Sequence, residues 1–278
     1  MYAACRNTQD TARNTMFEML ASGYTSLPDI IPHAEYLDEW LRRGFNADMK
    51  WMERHAEVRK HPRTFNGKSY NAAWISLWRH KSRPAFAIGE DYHIAIGDIL
   101  REKAERIGGQ YFVDSLPIAE RELAVLAGLG FIGKNRLLIN PKFGSGFFIG
   151  GILLDDADVN VGARRALPLH SHPQHGCAKC RRCIDACPSK ALTEDGFLDA
   201  RRCASYLTIE HKGELSEQQK EWAKHCTYGC DVCQRVCPYN YIAARQAAVC
   251  LPPAFASTLA TSGNVEPAPI ASAQSYGV

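Results

Sequence analysis

Apolar residues return at helical spacing between Ala34 and Arg43, where Tyr36, Leu37, Trp40 and Leu41 share one face. A second amphipathic helix is predicted over Ala95 to Ile107, stopped by Gly108-Gly109. A third runs from Ile118 to Ala127, with Pro117 in its first turn and Gly128 at its end. Tyr111-Phe112-Val113 reads as a short strand between the last two, while Phe131 to Ile139 and Phe147 to Leu154 read as buried extended segments. Helices and strands alternate, which predicts a mixed α/β (α+β) body.

Length and charge narrow this picture only modestly. At 278 residues the chain can hold one large domain and a small one. A net charge of +3 is compatible with a polyanionic partner and demands none. No stretch near 20 residues stays apolar, so no membrane span is expected. Met1 to Asp10 lacks the basic start and apolar run of a signal peptide, which leads to the expectation of a cytoplasmic, reducing location.

The cysteines change the picture most. There are eleven, none between Cys5 and Cys177 and nine between Cys177 and Cys237. In a reducing compartment such crowding predicts metal ligands in place of disulfides. It divides the chain into a cysteine-poor body over residues 1–170 and a compact module over residues 171–245. Cys177, Cys180, Cys183 and Cys187-Pro188 follow the C-x2-C-x2-C-x3-C-P spacing of bacterial ferredoxins with two [4Fe–4S] clusters. Cys230, Cys233 and Cys237-Pro238 form the partner run, with Cys203 supplying its missing member. In that pattern the last cysteine of each run serves the other cluster. The expected ligands are therefore Cys177, Cys180, Cys183 and Cys237 for cluster one, and Cys203, Cys230, Cys233 and Cys187 for cluster two. Zinc knuckles also use C-x2-C, but zinc has no use for the doubled C-x3-C-P ending. Cys5, Cys226 and Cys250 are left over, Cys226 as a bystander thiol. Two clusters in series carry single electrons and are not by themselves a catalyst.

The body holds no Walker loop, and Gly128-Leu-Gly130-Phe-Ile-Gly133 precedes no convincing helix, which argues against nucleotide binding. Asp114 stands where a strand ends and a helix begins. From position alone it reads as a helix cap shared with Ser115. Lys134-Asn135 reads as a surface turn.

Several segments taken together resemble the epoxyqueuosine reductases. They are Gly89-Glu90-Asp91-Tyr92-His93, Asp114-Ser115-Leu116-Pro117-Ile118-Ala119-Glu120-Arg121, and Ala127 through Lys134-Asn135. Gly144 through Gly150 follows, then Asp199 through Cys203 to Glu210, and Tyr228-Gly229-Cys230-Asp231. The resemblance covers residues 34–245. It implies a cobalamin-binding α/β domain followed by a bacterial two-[4Fe–4S] ferredoxin-like domain. It further implies removal of the epoxide oxygen from epoxyqueuosine at the wobble position of tRNA, giving queuosine, with electrons passing through the clusters to cobalamin. A low-potential electron donor is required. Asp114 matches the aspartate that protonates the departing oxygen, a role suited to a carboxyl group in an enclosed, partly apolar site. Arg59, Lys134, Asn135, Ser205 and Asp231 match cofactor-facing positions, and Ser205 to Glu210 is expected near cofactor and substrate.

The chain departs from this pattern over Lys60 to Ala87, at Gly146 in place of a tryptophan and at Gly151 in place of a glutamate. Residues 246–278 have the composition of a disordered tail where relatives continue into helices that grip tRNA. Arg164-Arg165, Arg181-Arg182, Arg201-Arg202 and Lys190 could form a phosphate-tracking face. The competing readings are a ferredoxin-like electron-transfer module of a larger redox complex, which leaves Asp114 without a purpose, and a reductive dehalogenase-like enzyme, which would carry an export signal.

Overall fold

The computed structural model describes residues 16–81, 91–155 and 176–241. The body contains β1 (Phe17–Ser26), α1 (Ala34–Arg42), α2 (Lys50–Arg54), α3 (Ala56–Lys60), β2 (Thr64–Phe65), β3 (Lys68–Ser69) and β4 (Ala72–His80). It continues with α4 (Tyr92–Ile107), β5 (Gln110–Phe112), α5 (Glu120–Leu126), β6 (Phe131–Ile132), β7 (Leu138–Ile139) and β8 (Phe148–Leu154). The cysteine-rich module adds α6 (Arg182–Ala186), α7 (Ala204–Ile209), α8 (Glu217–Ala223) and α9 (Val232–Arg235). No described helix is long and apolar enough to cross a membrane.

The main sheet has the order β1-β4-β8-β5, and each neighbouring pair is antiparallel. Its central strand, β4, falls in the stretch where the sequence departs from the family pattern. The departure leaves the strand intact, because every residue from Ala72 to Trp78 is buried. Side chains alternate across a strand. Ala73, Ile75 and Leu77 therefore enter one core with Leu123 and Ala124 of α5, while Trp74 and Trp78 enter another with Ile96 and Leu100 of α4. Ser76 is the polar exception on β4. Its hydroxyl donates to the Gly150 carbonyl oxygen at 3.0 Å and accepts from Trp78 Nε1 at 2.8 Å, so no polar group is buried unpaired there.

The sheet also explains Gly151. A Cβ at this position would lie 2.5 Å from the Trp74 carbonyl oxygen and 2.6 Å from the Phe112 ring. Strand β8 can thread between these two neighbours only without a side chain.

Helix α1 appears where the periodicity places it, and α4 begins three residues before the predicted start. Asp91 caps α4 by accepting from the His93 amide at 2.9 Å. Helix α5 is shorter than predicted, and its cap position is Ala119, so neither Asp114 nor Ser115 caps it. The extended segment expected over Phe131 to Ile139 is a tight hairpin, β6 and β7, with Phe131 paired to Ile139.

Helix α1 turns its apolar face toward the cysteine module. Trp40 packs with Ala204, Tyr206, Leu207 and Ala223, and its Nε1 donates to the Leu198 carbonyl oxygen at 2.6 Å. Tyr206 also donates to Asp48 Oδ2 at 2.8 Å. The start of the body and the module thus share a core.

Candidate active site and cluster module

Cys177, Cys180, Cys183 and Cys237 line one cavity of about 290 Å³, together with Asn135, Ile139 and Tyr239. Burial pushes the Cys183 thiol up to about 11, and Cys177 adds to this. Burial raises Cys237 as well, and the charges acting on it are those of Cys177 and Cys180. Burial pushes Cys233 up to about 12, and the charges of Cys203, Cys230, Cys183 and Cys187 add to this. Burial raises Cys203 too, beside Cys230 and Cys187.

Backbone amides turn toward the sulfurs. Lys134 N donates to Cys177 Sγ at 3.3 Å and Ala191 N to Cys187 Sγ at 3.3 Å. The described cysteines are free thiols. A set of four thiols around an apolar hollow, approached by N–H donors, fits an iron–sulfur cluster: the metal supplies the charge that makes thiolates affordable there, and the amides stabilise the ligating sulfurs. Cys226, half-buried, donates to the Ala223 carbonyl oxygen at 3.4 Å, and its sulfur lies within 4.8 Å of Cys230 Sγ and a ring nitrogen of His225, beside the second group.

A second, larger cavity of about 990 Å³ opens in the body. Tyr36, Trp40, Trp51, Phe65, Tyr92 and Phe148 give it aromatic walls, and Arg59, Arg136, Asp114 and Glu120 bring charge. Asp114 is exposed to this space on a turn where its backbone takes φ 50°. Tyr92 donates its O–H to Asp114 Oδ2 at 3.0 Å. The Tyr92 ring is in turn stacked on Phe148 at 4.1 Å, and burial raises its phenol pKa, so it remains a donor. Glu120 Oε1 accepts from the Asp114 amide at 2.8 Å. Burial, and then the charge of Asp114, push the Glu120 carboxyl up to about 8.

Arg59 reaches the same wall from α3. Its Nη1 donates to the Ile118 carbonyl oxygen at 3.0 Å, its guanidinium lies 5.1 Å from the Trp51 ring centre, and its Nε is buried with no hydrogen-bond partner among the described residues. Burial lowers its pKa while Glu120 opposes that shift. A buried N–H without a partner is costly, and a polar group entering the cavity would satisfy it. The size, the aromatic walls and this unpaired donor fit a large cofactor rich in amides.

One stretch of chain separates the two cavities. Asn135 and Ile139 face the cluster-one thiols, whereas Arg136 and Leu137 line the large cavity. Arg136 takes φ 62° and sits 3.7 Å from the Tyr36 ring centre. Lys134 is part of the same wall. Its Nζ donates to the carbonyl oxygens of Ala178 at 2.8 Å and Cys180 at 3.0 Å, which clasps the cluster loop to the body.

The residues selected from sequence therefore fall into three places. Asp114 and Arg59 meet on the large cavity, and Lys134 and Asn135 stand at cluster one. Ser205 and Asp231 stand beside the second cysteine group, where the Tyr206 and Ser205 amides face the Cys203 sulfur and Asp231 precedes α9 without a side-chain capping bond and pairs with Arg235 Nε at 3.2 Å. Of the stretch Ser205 to Glu210, Glu210 lines the large cavity. Tyr92, Glu120 and Arg136 were not singled out from sequence, although each lies within or beside a segment carrying the resemblance.

Among the cations of the expected phosphate face, Arg181 pairs with Glu194, Arg201 Nη2 pairs with Asp199 Oδ2 at 2.8 Å, and Lys190 Nζ donates to the Asp185 carbonyl oxygen at 2.7 Å. Arg164-Arg165, Cys5, Cys250 and the tail 246–278 lie outside the described residues.

Comparison with known proteins bears on the cysteine-rich module and on the fold. Residues 176–240 match the model of a 4Fe-4S double cluster binding domain. An epoxyqueuosine reductase of Aliivibrio fischeri is 36% identical over 268 residues, covering 84% of this chain and 68% of that protein. The one from Cyclobacterium marinum is 38% identical, covering 74% of this chain and 70% of the relative. Among solved structures, epoxyqueuosine reductase from Streptococcus thermophilus superposes with a TM-score of 0.61 at 27% identity, covering 80% of this chain and 63% of that one. An epoxyqueuosine reductase with an epoxyqueuosine-modified tRNA-Tyr stem loop gives 0.62 at 25% identity, covering 80% and 62%. The chain spans about two thirds of the length of the curated relatives it matches. On sequence identity and on fold, the chain belongs to the epoxyqueuosine reductase family.

Proposed function

We propose that the chain reduces epoxyqueuosine in tRNA to queuosine, two electrons and two protons turning the epoxide into a carbon–carbon double bond and water. The observation that carries this reading is the placement of Asp114. It lines a cavity of about 990 Å³ that Arg136 and Leu137 also line, while their chain neighbour Asn135 lines the cluster-one hollow. On this reading a proton donor and an electron source serve one cavity. That a relative has been solved with a modified tRNA stem loop supports tRNA as the partner.

On this reading residues up to about 170 form the cofactor and substrate domain, and residues 171–245 the ferredoxin-like module. Two [4Fe–4S] clusters supply single electrons, and cobalamin, when bound, supplies the low-potential reducing centre at which the C–O bond opens. Arg59, Trp51, Phe148 and Arg136 would hold the corrin, the unpaired Arg59 Nε meeting one of its amide oxygens. Lys134 and Asn135 serve it indirectly, by fixing the wall between cofactor and cluster. Tyr92 holds Asp114 Oδ2 with its O–H, which leaves Oδ1 to carry the proton to the departing oxygen. That transfer replaces a poor alkoxide leaving group by a hydroxyl.

Anaerobic reconstitution with iron, sulfide and cobalamin tests this assignment. The expected result is about eight irons, four per cluster, and one tightly bound corrin per chain. Eight irons without corrin would overturn the cofactor assignment and leave an electron-transfer module.

A further inference from the structure

His225 stands five residues before Cys230, in the loop that leads from α8 to the second cysteine run, and its Nε2 lies 3.3 Å from Cys230 Sγ. Two anchors hold that loop beside the sulfur. At its start the Cys226 amide donates to the Ala223 carbonyl oxygen at 3.0 Å, and the Cys226 thiol donates to the same oxygen at 3.4 Å. At its end Gly229 takes φ 70°, and its amide donates to Thr208 Oγ1 of α7 at 2.9 Å. His225 is exposed and Cys230 half-buried, so the imidazole meets the sulfur from the surface.

We propose that His225 sets the reduction potential of the second cluster, its Nε2–H donating to the ligating sulfur of Cys230. The proposal rests on the assignment of Cys230 to that cluster. A cysteine that ligates iron is a thiolate and can only accept a hydrogen bond, so the ring nitrogen must be the donor. An N–H draws charge from a ligating sulfur and favours the more negative, reduced cluster, which raises its potential. Backbone amides of Lys134 and Ala191 approach Cys177 and Cys187 in the same way. Those donors belong to the turns of the fold, whereas an exposed side chain can be exchanged without opening the core. Acting through the ligand, His225 fixes the potential at which the cluster takes up its electron, and so which donors can load it. The rival role is direct ligation, since His225, Cys226 and Cys230 bring their ligand atoms within 4.8 Å of one another.

The test is a redox titration, followed by EPR, of the anaerobically reconstituted full chain and its H225L, H225Q and C230A variants. The unsubstituted chain should hold about eight irons and show one midpoint for each cluster. H225L has no donor. It should keep its iron while one midpoint falls by about 59 mV, a tenfold change in a one-electron equilibrium, and the other stays in place. H225Q, whose side-chain amide can donate from a similar position, should return that midpoint toward the unsubstituted value. C230A should lose the midpoint that moves in H225L.

Two unmoved midpoints in H225L would overturn the proposal, and so would equal shifts of both. An H225Q midpoint that stays with that of H225L would show that the imidazole acts by its charge and not by its hydrogen bond, which overturns it too. Loss of about four irons from H225L would make His225 an iron ligand in place of a donor. A C230A chain that keeps both midpoints would instead overturn the underlying assignment of Cys230. Pulsed EPR of the reduced unsubstituted chain, grown with isotope-labelled histidine, decides the matter without any variant. A weakly coupled ring nitrogen is expected; its absence, or the strong coupling of a directly bound nitrogen, would overturn the role.

Discussion

At Asp114 the backbone takes φ 50°, a conformation that residues with a Cβ rarely adopt. Two hydrogen bonds hold it: Tyr92 O–H on Oδ2 and Glu120 Oε1 on its amide. Such strain at a residue lining a large cavity is the sign expected of a group whose position serves chemistry. Asp114 was singled out in the sequence through a motif, but its partners were not, because nothing in spacing says that Tyr92, twenty-two residues earlier, meets it. The cap reading failed for a physical reason, since α5 begins at Glu120 and the intervening Ser115 to Ala119 run leads away from its first turn. Tyr92→Phe should lower the turnover rate about tenfold, the loss of about 1.4 kcal/mol from one hydrogen bond to the acid, with iron content unchanged. Single-turnover kinetics on a modified stem loop would check it, and an unaltered rate would show that Tyr92 only packs against Phe148.

At the scale of elements, the cysteine runs were the most legible part of the chain, because ligand spacing is a local property and cluster geometry admits few alternatives. Helices α6 and α9 pack together, and Cys237 of the second run lines the hollow of Cys177, Cys180 and Cys183, as the proposed interlacing requires. Replacing Cys237 by Ala should therefore remove a ligand of the first cluster although it belongs to the second run. Iron analysis and EPR after reconstitution should find about four irons, with the cluster of Cys203, Cys230 and Cys233 retained. Retention of the Cys177 cluster and loss of the other would reverse the assignment. Strand β4 was harder to read. Its burial on both faces removes the alternation that marks a half-buried strand, and Trp74 and Trp78 hide its role as the sheet centre. The hairpin of β6 and β7 was read as one strand for a related reason: its turn, Gly133 to Leu137, carries the residues that separate the two cavities and so follows site geometry in place of a simple pattern.

For the whole molecule, helix α1 ties the start of the body into the core of the cysteine module, and Lys134 clasps the cluster loop from the other side. These contacts fix the separation between the cluster-one hollow and the large cavity, on which electron delivery would depend in the proposed reaction. They were not legible in sequence, because amphipathicity shows that a helix has a partner without saying which. The central claim is that electrons and a proton converge on an epoxide in that cavity. It is tested most directly by nucleoside mass spectrometry of an epoxyqueuosine-modified tRNA stem loop, incubated anaerobically with the reconstituted chain and a low-potential reductant. The account predicts conversion to a nucleoside one oxygen lighter, with the rate reduced about a hundredfold or more in Asp114→Asn, the range expected for loss of a general acid. A chain carrying both clusters and a corrin that leaves the epoxide intact, or an Asp114→Asn variant that converts it at an undiminished rate, would contradict it.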